Sequence, residues 1–375
     1  MGNQIVKKPV ILKGVFSESD VAALRQKHKI FEEIDIYDRQ LAELFHVLHP
    51  AEPERGEALE RFKKERPAGV TAGTWVYYPW SGTLLHTVGA DDLFRLRTNR
   101  NQLLITHQEQ QKLHQTTVGI AGMSVGAGIA LALAYSGISK SIKIADFDEL
   151  DTSNLNRLRE SLAAVGKPKV ALAAQHLYEL DPFADVQAFE EGIDEANIDS
   201  FFSDPKLTVV IDEIDDFKMK VQLRLHAKKH GTPLLMFTSL GDNILIDVER
   251  YDSEPELQIF HGLLGDLTDE IIKKSEITKD DERRYAVLLV GQKYIPTQAL
   301  ASLPEMGRSL VGRPQLYSTI AVDGGLAAYI VRQIVLNNKP TSGRYFVKFS
   351  DLIGVADTDL TESGQRQDIL KKLRG

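Results

Sequence analysis

One stretch of this 375-residue sequence constrains the fold more than any other, because it joins a strand, a glycine-rich turn, a helix and a second strand. It covers residues 116–157 and begins with a short apolar segment that ends at Gly122. The turn reads Gly-Met-Ser-Val-Gly-Ala-Gly. Residues 129–135 are apolar all round, which is typical of a buried helix. Residues 141–146 form the second strand, and they end in an acid, Asp146.

This order of elements is the pattern of dinucleotide-binding α/β proteins, in which an acid follows the glycine turn by about 20 residues. In that pattern the backbone amides at the start of the helix receive phosphate, and the acid binds the ribose hydroxyls. We therefore expect Gly122, Ser124 and Gly126 to contact a nucleotide, with Asp146 on its ribose.

The same turn also spells Gly-x-Ser-x-Gly, the nucleophile elbow of α/β-hydrolases, in the strand–turn–helix context that this motif requires. Ser124 would then be the nucleophile, and the base would come from a downstream histidine: His226, His230 or His261. Two features count against this alternative. The elbow would lie on the first strand of the sheet, and no HGGG-type oxyanion loop precedes it.

Strands and helices alternate after residue 157, which predicts an α/β fold with a doubly wound, Rossmann-like and mainly parallel sheet covered by helices on both faces. Residues 1–95 form a small α+β unit whose hairpin contains Pro79, a residue that favours an edge position. The main domain covers residues 96–350 and carries a mostly helical insertion at 252–312. A long apolar helix is predicted at 317–337 and an additional helix at 193–202. A C-terminal tail is expected at 351–375, of which the charged residues 361–375 are expected to fray.

The complete absence of cysteine excludes disulfides, Cys-x-x-Cys zinc sites and thiol nucleophiles. The net charge is −8 and no long basic tract occurs, so nucleic acid is not an expected partner. No apolar run approaches the ~18 residues of a membrane span. The first residues also lack an apolar signal segment, so we expect a cytoplasmic protein.

Polar side chains gather where the predicted strands end. Because the carboxyl ends of parallel strands meet at one edge of a sheet, these side chains are expected to lie together. Cations there can neutralise phosphate, amides can orient it, and one carboxylate can hold Mg²⁺. The pattern favours a Mg²⁺-ATP site made by Asp146, Asp148, Asn154, Arg157, Lys169 and Asp215.

These segments resemble the ThiF/MoeB-type adenylyltransferases, which share their core with ubiquitin-activating enzymes. The resemblance covers residues 99–349. DFDELDTSNLNR is similar to the family's DxDxVxxSNLxRQ, GKPK to its VGxPK, VVIDEIDDF to its VVDxxDNF, and TNRNQLL to its RYxRQxxL.

The resemblance implies that the cofactors are ATP and Mg²⁺ and that the chain forms a homodimer. It also implies that Asp146 binds the ribose, that the phosphates are held by Asn154, Arg157 and Lys169, and that Asp215 holds Mg²⁺ or lies beside the α-phosphate.

Two arginines compete for a further role that the resemblance implies, that of an arginine donated across the dimer interface. Arg100 has the expected distance from the glycine turn. Arg39 lies in a segment that spells the motif more closely but is too far ahead of the turn, so Arg100 is preferred.

The sequence departs from the family pattern in three places. Its glycine turn is one residue shorter, with Ser124 and Ala127 where Gly and Ser are usual, and Asp216 replaces the usual Asn. It also lacks the cysteine of members that form thioesters or persulfides, and the zinc-binding cysteines of many others.

We therefore predict an ATP-dependent adenylyltransferase that activates a carboxylate as an acyl-adenylate, without a thioester step. The substrate would be a protein C-terminus, a small carrier protein or a small acid. A tRNA-modifying dehydratase branch also dispenses with the thioester, but no basic patch supports tRNA binding here. A nucleotide- or dinucleotide-binding sensor without turnover is the alternative, and the Ser124 hydrolase is third.

Overall fold

A four-stranded sheet organises the N-terminal unit in the computed structural model, which describes residues 6–53, 55–354 and 364–374. Its strands are β1 (Val10–Leu12), β2 (Glu32–Asp35), β3 (Thr74–Tyr78) and β4 (Thr83–Thr87). Its helices are α1 (Glu18–Lys27), α2 (Tyr37–Leu48), α3 (Glu57–Lys64) and α4 (Ala90–Thr98). Helix α4 runs across the expected domain boundary at residue 95.

The β3–β4 hairpin occupies the centre of this sheet, so the predicted edge position is wrong. The strand order is β1-β3-β4-β2, with β3 paired to β1 and β4 paired to β2. Pro79 directly follows the last residue of β3. Its missing N–H therefore removes no hydrogen bond from the ladder, and an inner strand can tolerate it.

A seven-stranded sheet forms the main domain, in the order β11-β10-β9-β8-β5-β6-β7. Its strands are β5 (Thr117–Ala121), β6 (Ser141–Ala145), β7 (Asp185–Phe189), β8 (Val209–Asp212), β9 (Leu234–Leu240), β10 (Asn243–Glu249) and β11 (Gly343–Lys348). Strands β5 to β9 pair in parallel with one another. Strand β10 is antiparallel to both of its neighbours, β9 and β11. The predicted doubly wound, mainly parallel sheet is confirmed.

Eleven more α-helices are described in this part of the chain. They are α5 (His107–His114), α6 (Gly126–Tyr135), α7 (Lys169–Leu180), α8 (Ile198–Ser203), α9 (Phe217–His230), α10 (Leu267–Lys273), α11 (Lys279–Val290), α12 (Thr297–Ser302), α13 (Tyr317–Val335), α14 (Phe349–Ile353) and α15 (Gly364–Arg374). None of these described helices is both long enough and apolar enough to cross a membrane.

Helices cover both faces of the large sheet, which explains why its central strands are apolar without alternation. Ile120 and Ile211 pack on one side with α6, α7 and α13. Ala121 and Val210 pack on the other side with α8 and α9. The candidate residues Asp146 and Asp215 lie beyond the ends of two of these strands.

Two predicted segments differ from the structure. The helix expected at 193–202 begins only at Ile198, because the Asp194 carboxylate accepts hydrogen bonds from the backbone N–H groups of Ala196 and Asn197, at 2.9 Å each, and holds a turn. In the tail expected to fray, residues 361–363 and 375 lie outside the described residues, and the described part forms α15, which packs on α12. Arg366 of this helix is buried and donates a hydrogen bond to the carbonyl of Ile295 at 2.9 Å.

Candidate functional site

The glycine turn brings the end of β5 close to the end of β8. Gly122 has a φ of +94°, and a Cβ on this residue would lie 2.4 Å from the carbonyl oxygen of Glu213. Gly126 opens α6 directly beneath the turn, where a Cβ would lie 2.7 Å from Ile120. Both positions therefore require glycine. Ser124, at the tip of the turn, is half-buried.

Asp146 ties the turn to the end of β6. Its Oδ2 accepts a hydrogen bond from the N–H of Met123 at 2.5 Å, and its Oδ1 accepts one from the N–H of Asp148 at 2.7 Å. Burial raises the pKa of Asp146, and these two hydrogen bonds oppose that shift. A carboxylate oxygen can accept more than one hydrogen bond, so Asp146 can still bind ribose hydroxyls.

Asn154 lies in the loop that follows β6, and Lys169 is the first residue of α7, which follows that loop. Lys169 is buried, and its Nζ donates a hydrogen bond to Asp148 Oδ2 at 2.8 Å. Asn154 is also buried, and its Oδ1 accepts the N–H of Asp151 at 3.1 Å. Asp148 therefore positions Lys169, while Asn154 stabilises the turn that carries Arg157.

Arg157 is a half-buried cation that lacks a carboxylate partner among the residues the structure describes. Its guanidinium donates to Asn156 Oδ1 at 3.0 Å and to the carbonyl of Ser153 at 3.4 Å. Its buried Nε has no hydrogen-bond partner. Burial lowers the pKa of Arg157, and the charge of Asp215 opposes this shift. A partly desolvated guanidinium with a spare donor is suited to bind an anion.

Asp215 follows β8 and has an ion-pair partner that could not be identified from the sequence. Arg313, in the segment before α13, donates to Asp215 Oδ1 at 2.5 Å. The same segment accepts a hydrogen bond from Asn156 Nδ2 at the carbonyl of Gln315, at 3.0 Å. No local motif marks Arg313, because it is separated from Asp215 by 98 positions.

The neighbours of Asp215 have structural roles. Asp216 caps α9, with its Oδ1 accepting the N–H of Met219 at 2.8 Å. Asn and Asp cap helices about equally well, which explains why Asp is tolerated where the family has Asn. Asp212 is fully buried and bound by Lys220 at 3.1 Å and by Arg224 at 2.6 Å.

Two further carboxylates lie just inside this edge, and sequence reasoning misses both. Asp323 of α13 is fully buried, accepts a hydrogen bond from Ser239 Oγ at 2.8 Å, and has no partner for its Oδ1. Burial raises the pKa of Asp323 to about 7. Glu213 accepts the N–H of Phe237 at 3.0 Å, and burial together with the nearby Asp323 raises its pKa well above the ordinary range. The signal that could have found Asp323 is an acid in the middle of an apolar helix.

Ser124 has no histidine partner among the described residues. The three candidate histidines each contact other groups: His226 faces Asp199, His230 stacks on Phe202, and His261 faces Asp247. The geometry therefore gives no support to a serine–histidine pair at this turn.

The two candidate arginines lie away from this edge within the chain. Arg100 is exposed, and the adjacent Asn101 donates to the carbonyl of Ser136 at the C-terminal end of α6, opposite the glycine turn. Arg39 lies on α2 and pairs with Glu43 at 3.3 Å. A contribution from Arg100 to this site would have to come from a second copy of the chain.

No group of three or more His, Asp or Glu side chains is arranged for a metal ion in the described parts of the chain. The carboxylate of Asp215 is 88% exposed, and its charge acts on the nearby Arg157. Proteins commonly hold Mg²⁺ through one or two carboxylates together with substrate phosphates. Asp215 therefore fits an ion that arrives with a nucleotide, and the residues do not form a metal cage of their own.

Comparison with known proteins assigns this chain to one family. Residues 98–350 match the model of the ThiF family. An uncharacterized protein of Mycobacterium tuberculosis is 36% identical over 319 residues, which are 85% of this chain and 42% of that protein. The tRNA threonylcarbamoyladenosine dehydratase of Bacillus subtilis is 34% identical over 41% of this chain and 59% of its own length. The molybdopterin-synthase adenylyltransferase of Escherichia coli is 28% identical over 46% of this chain and 70% of its own length. This chain thus spans about half the length of the first two relatives.

Proposed function

This chain belongs to the ThiF family, and we propose on that premise that it is an ATP-dependent adenylyltransferase. In the proposed reaction a substrate carboxylate attacks the α-phosphorus of ATP. The bond from that phosphorus to the bridging oxygen breaks, pyrophosphate leaves, and an acyl-adenylate forms. The name of the Escherichia coli relative, an adenylyltransferase, agrees with this class of reaction.

The main support for the proposal is the environment of Arg157, whose side chain is half-buried and has a donor without a hydrogen-bond partner. A half-buried guanidinium without a carboxylate partner in the described structure carries an unfavourable desolvation that a bound anion relieves. A polyphosphate offers several acceptor oxygens and negative charge together. The position of Arg157, on the loop after β6, agrees with the phosphate-binding role that the family motif implies.

The other residues at this edge have complementary roles. Asp146 is held by two backbone N–H groups in an orientation that suits the ribose hydroxyls. Lys169 is held by Asp148 and can turn its charge toward the phosphates. Gly122 and Gly126 allow the backbone to approach a nucleotide closely. In-line transfer at phosphorus depends mainly on such positioning and charge neutralisation, so a general base is not required.

Asp215 is the residue we propose to hold Mg²⁺, in company with the nucleotide phosphates. The bound ion would supply Lewis-acid neutralisation of the phosphate charge. Asp215 suits this role because its carboxylate is exposed and its only ion-pair partner among the described residues is the exposed Arg313.

Nucleotide binding can be tested before the substrate is known. We expect α,β-methylene ATP to bind the wild-type protein in isothermal titration calorimetry. Arg157→Ala should weaken this binding about 10- to 100-fold, the range of one or two charge-assisted hydrogen bonds. Arg157→Lys should recover part of the affinity. Arg95→Ala, an exposed arginine on α4, is the matched control. An Arg157→Ala protein with wild-type affinity would remove the main support for the proposal.

The metal assignment has its own test. Wild-type affinity for the analogue should be higher with Mg²⁺ than with EDTA, and Asp215→Ala should abolish that difference. If the Mg²⁺ dependence survives in Asp215→Ala, another group holds the ion.

Catalysis is tested by exchange of labelled pyrophosphate into ATP in the presence of candidate carboxylates, including carrier-protein C-termini and small acids. Exchange that depends on one carboxylate and on Arg157 identifies the substrate. Analogue binding without exchange for any acid would favour the nucleotide-sensing alternative.

We further propose a homodimer in which Arg100 reaches the site of the partner. Arg100 is followed by two nearly fully exposed apolar residues, Leu103 and Leu104, which would be covered by a second copy. The test mixes Arg100→Ala and Arg157→Ala chains by unfolding and refolding together. A mixture that is more active than either variant alone means that the two arginines act in one site from different chains. An inactive mixture rejects the trans arginine.

A further inference from the structure

The segment 311–317 bridges the two loops that we propose to hold the nucleotide. Arg313 is bound to Asp215, beyond β8. Gln315 accepts a hydrogen bond from Asn156, beyond β6. Tyr317 contacts Arg159 on the same loop, through its hydroxyl and with the guanidinium 5.6 Å from the ring centre. The segment therefore crosses the carboxyl edge between Asp215 and the loop of Arg157.

The ion pair of Arg313 with Asp215 is exposed and easily exchanged. The two side chains are 50% and 88% exposed. Exposed pairs of this kind contribute at most about 1 kcal/mol, so Arg313 can exchange its partner at little cost. Pro314 disfavours the helical conformation at Arg313, and residues 313–316 lie outside any helix or strand.

A cation at Asp215 would leave Arg313 without its counter-charge. The guanidinium would then lie beside the phosphates that we assign to Arg157 and Lys169. Arginine binds phosphate oxygens with a planar pair of donors, which a lysine at the same place does not offer. None of the family motifs named above includes this position, because the segment lies between the 252–312 insertion and α13.

We infer that Arg313 is a further substrate-binding residue, which exchanges Asp215 for the β- and γ-phosphates of ATP. The inference rests on the proposed function. Arg157 is half-buried, whereas the side chain of Arg313 is 50% exposed and pairs with an exposed carboxylate. As the bond between the α-phosphorus and the bridging oxygen breaks, negative charge grows on the departing pyrophosphate. Arg313 neutralises that charge from within the same chain.

The test compares ligands that differ in the phosphates they carry. Binding of α,β-methylene ATP, pyrophosphate and AMP is measured in the presence of Mg²⁺ for wild type, Arg313→Ala and Arg313→Lys. Arg308→Ala is the control, since Arg308 is an exposed arginine shortly before the same segment. We expect Arg313→Ala to weaken the analogue and pyrophosphate about tenfold and to leave AMP unchanged, because AMP lacks the outer phosphates. Arg313→Lys should recover less than half of the lost binding free energy, since lysine lacks the planar fork.

Two results would overturn the inference. Unchanged or tighter binding of the analogue to Arg313→Ala means that Arg313 only occupies Asp215 in the free protein. Equal weakening of AMP means that the variant has disturbed the whole site. If the wild-type protein binds neither the ATP analogue nor AMP, the proposed function is wrong as well. If the wild-type protein binds both and Arg313→Ala binds the analogue equally well, only the role of Arg313 is wrong.

Discussion

Two aspartates of one segment, Asp212 and Asp215, lie in opposite surroundings. Asp212 ends β8, is fully buried, and is bound by Lys220 and Arg224. Asp215 lies in the loop beyond, is 88% exposed, and pairs with Arg313. The same residue type therefore contributes to the interior of the fold at one position and to the proposed chemistry at the other.

The buried aspartate belongs to a closed network of charges. Arg224 binds Asp212 and also Glu249 of β10, at 2.8 Å, with its guanidinium 3.8 Å from the ring centre of Phe260. Glu249 Oε1 accepts hydrogen bonds from Tyr251 and from the N–H of Phe260, at 2.6 and 2.7 Å. Through Tyr251 and Phe260, this network connects the start of the 252–312 insertion to β10 of the sheet. The exposed charges around Asp215 are open to solvent and are available for a ligand.

The largest expected effect is on stability, at Arg224. Arg224→Ala leaves Asp212 and Glu249 buried without their shared cation, and removing one member of a buried ion pair costs about 3–5 kcal/mol. Urea unfolding should report this loss, with Arg308→Ala within about 0.5 kcal/mol of wild type because exposed positions tolerate change. A loss below 1 kcal/mol would show that the buried network does not differ energetically from the exposed pair.

Asp323 tests a third case, a buried carboxyl without a cation. Its pKa rises from the ordinary value of 3.8 to about 7. A raised acid pKa in the folded state means that stability is fully present at low pH and is lost as the pH rises from about 4 to 7, because the unfolded chain ionises first. At 1.36 kcal/mol per pKa unit the loss reaches about 4 kcal/mol.

The corresponding experiment compares Asp323→Asn with wild type at pH 5 and pH 8. The amide can still accept the hydrogen bond of Ser239 and cannot ionise, so the variant should lose less stability between these values. Taking the difference between the two proteins cancels the titration of groups distant from Asp323. Because the charge of Asp323 also helps to raise the pKa of Glu213, the difference reports on the Asp323–Glu213 pair. Parallel pH profiles for the two proteins would mean that Asp323 is already ionised, or is paired, in the folded state.

The main fold was predictable from sequence because its signals are local. Each central strand is a short apolar run followed by a polar turn, and burial on both faces removes the ambiguity of alternating patterns. The error at Pro79 arose from a pairing that local patterns do not contain. β1 has only three residues, Val10–Leu12, and none of them is fully buried, so nothing in the sequence marks it as a partner of β3.

The candidate site was predictable where parallel strands bring neighbouring strand ends together. Asp146, Lys169 and Asp215 follow from the order of the elements and from the family motifs. Arg313 and Asp323 did not follow, because their positions depend on how α13 packs against α6. Gly324 permits this close packing, because a Cβ there would lie 3.2 Å from both Ala132 and the carbonyl of Gly128. Such a contact between distant segments has no periodic signal in the sequence.

The smallest expected effect is at the exposed pair itself, and it decides whether the comparison of the two aspartates holds. A double-mutant cycle with Asp215→Asn, Arg313→Gln and the double variant isolates the coupling between the two side chains. For a pair this exposed we expect about 0.2–1 kcal/mol, decreasing further in high salt because solvent ions screen it. A coupling above 2 kcal/mol would make Arg313 a structural partner of Asp215, and its exchange onto phosphate would then be too costly. A weak, salt-sensitive coupling leaves the guanidinium available, so the same residues can be nearly neutral for folding and decisive for nucleotide binding.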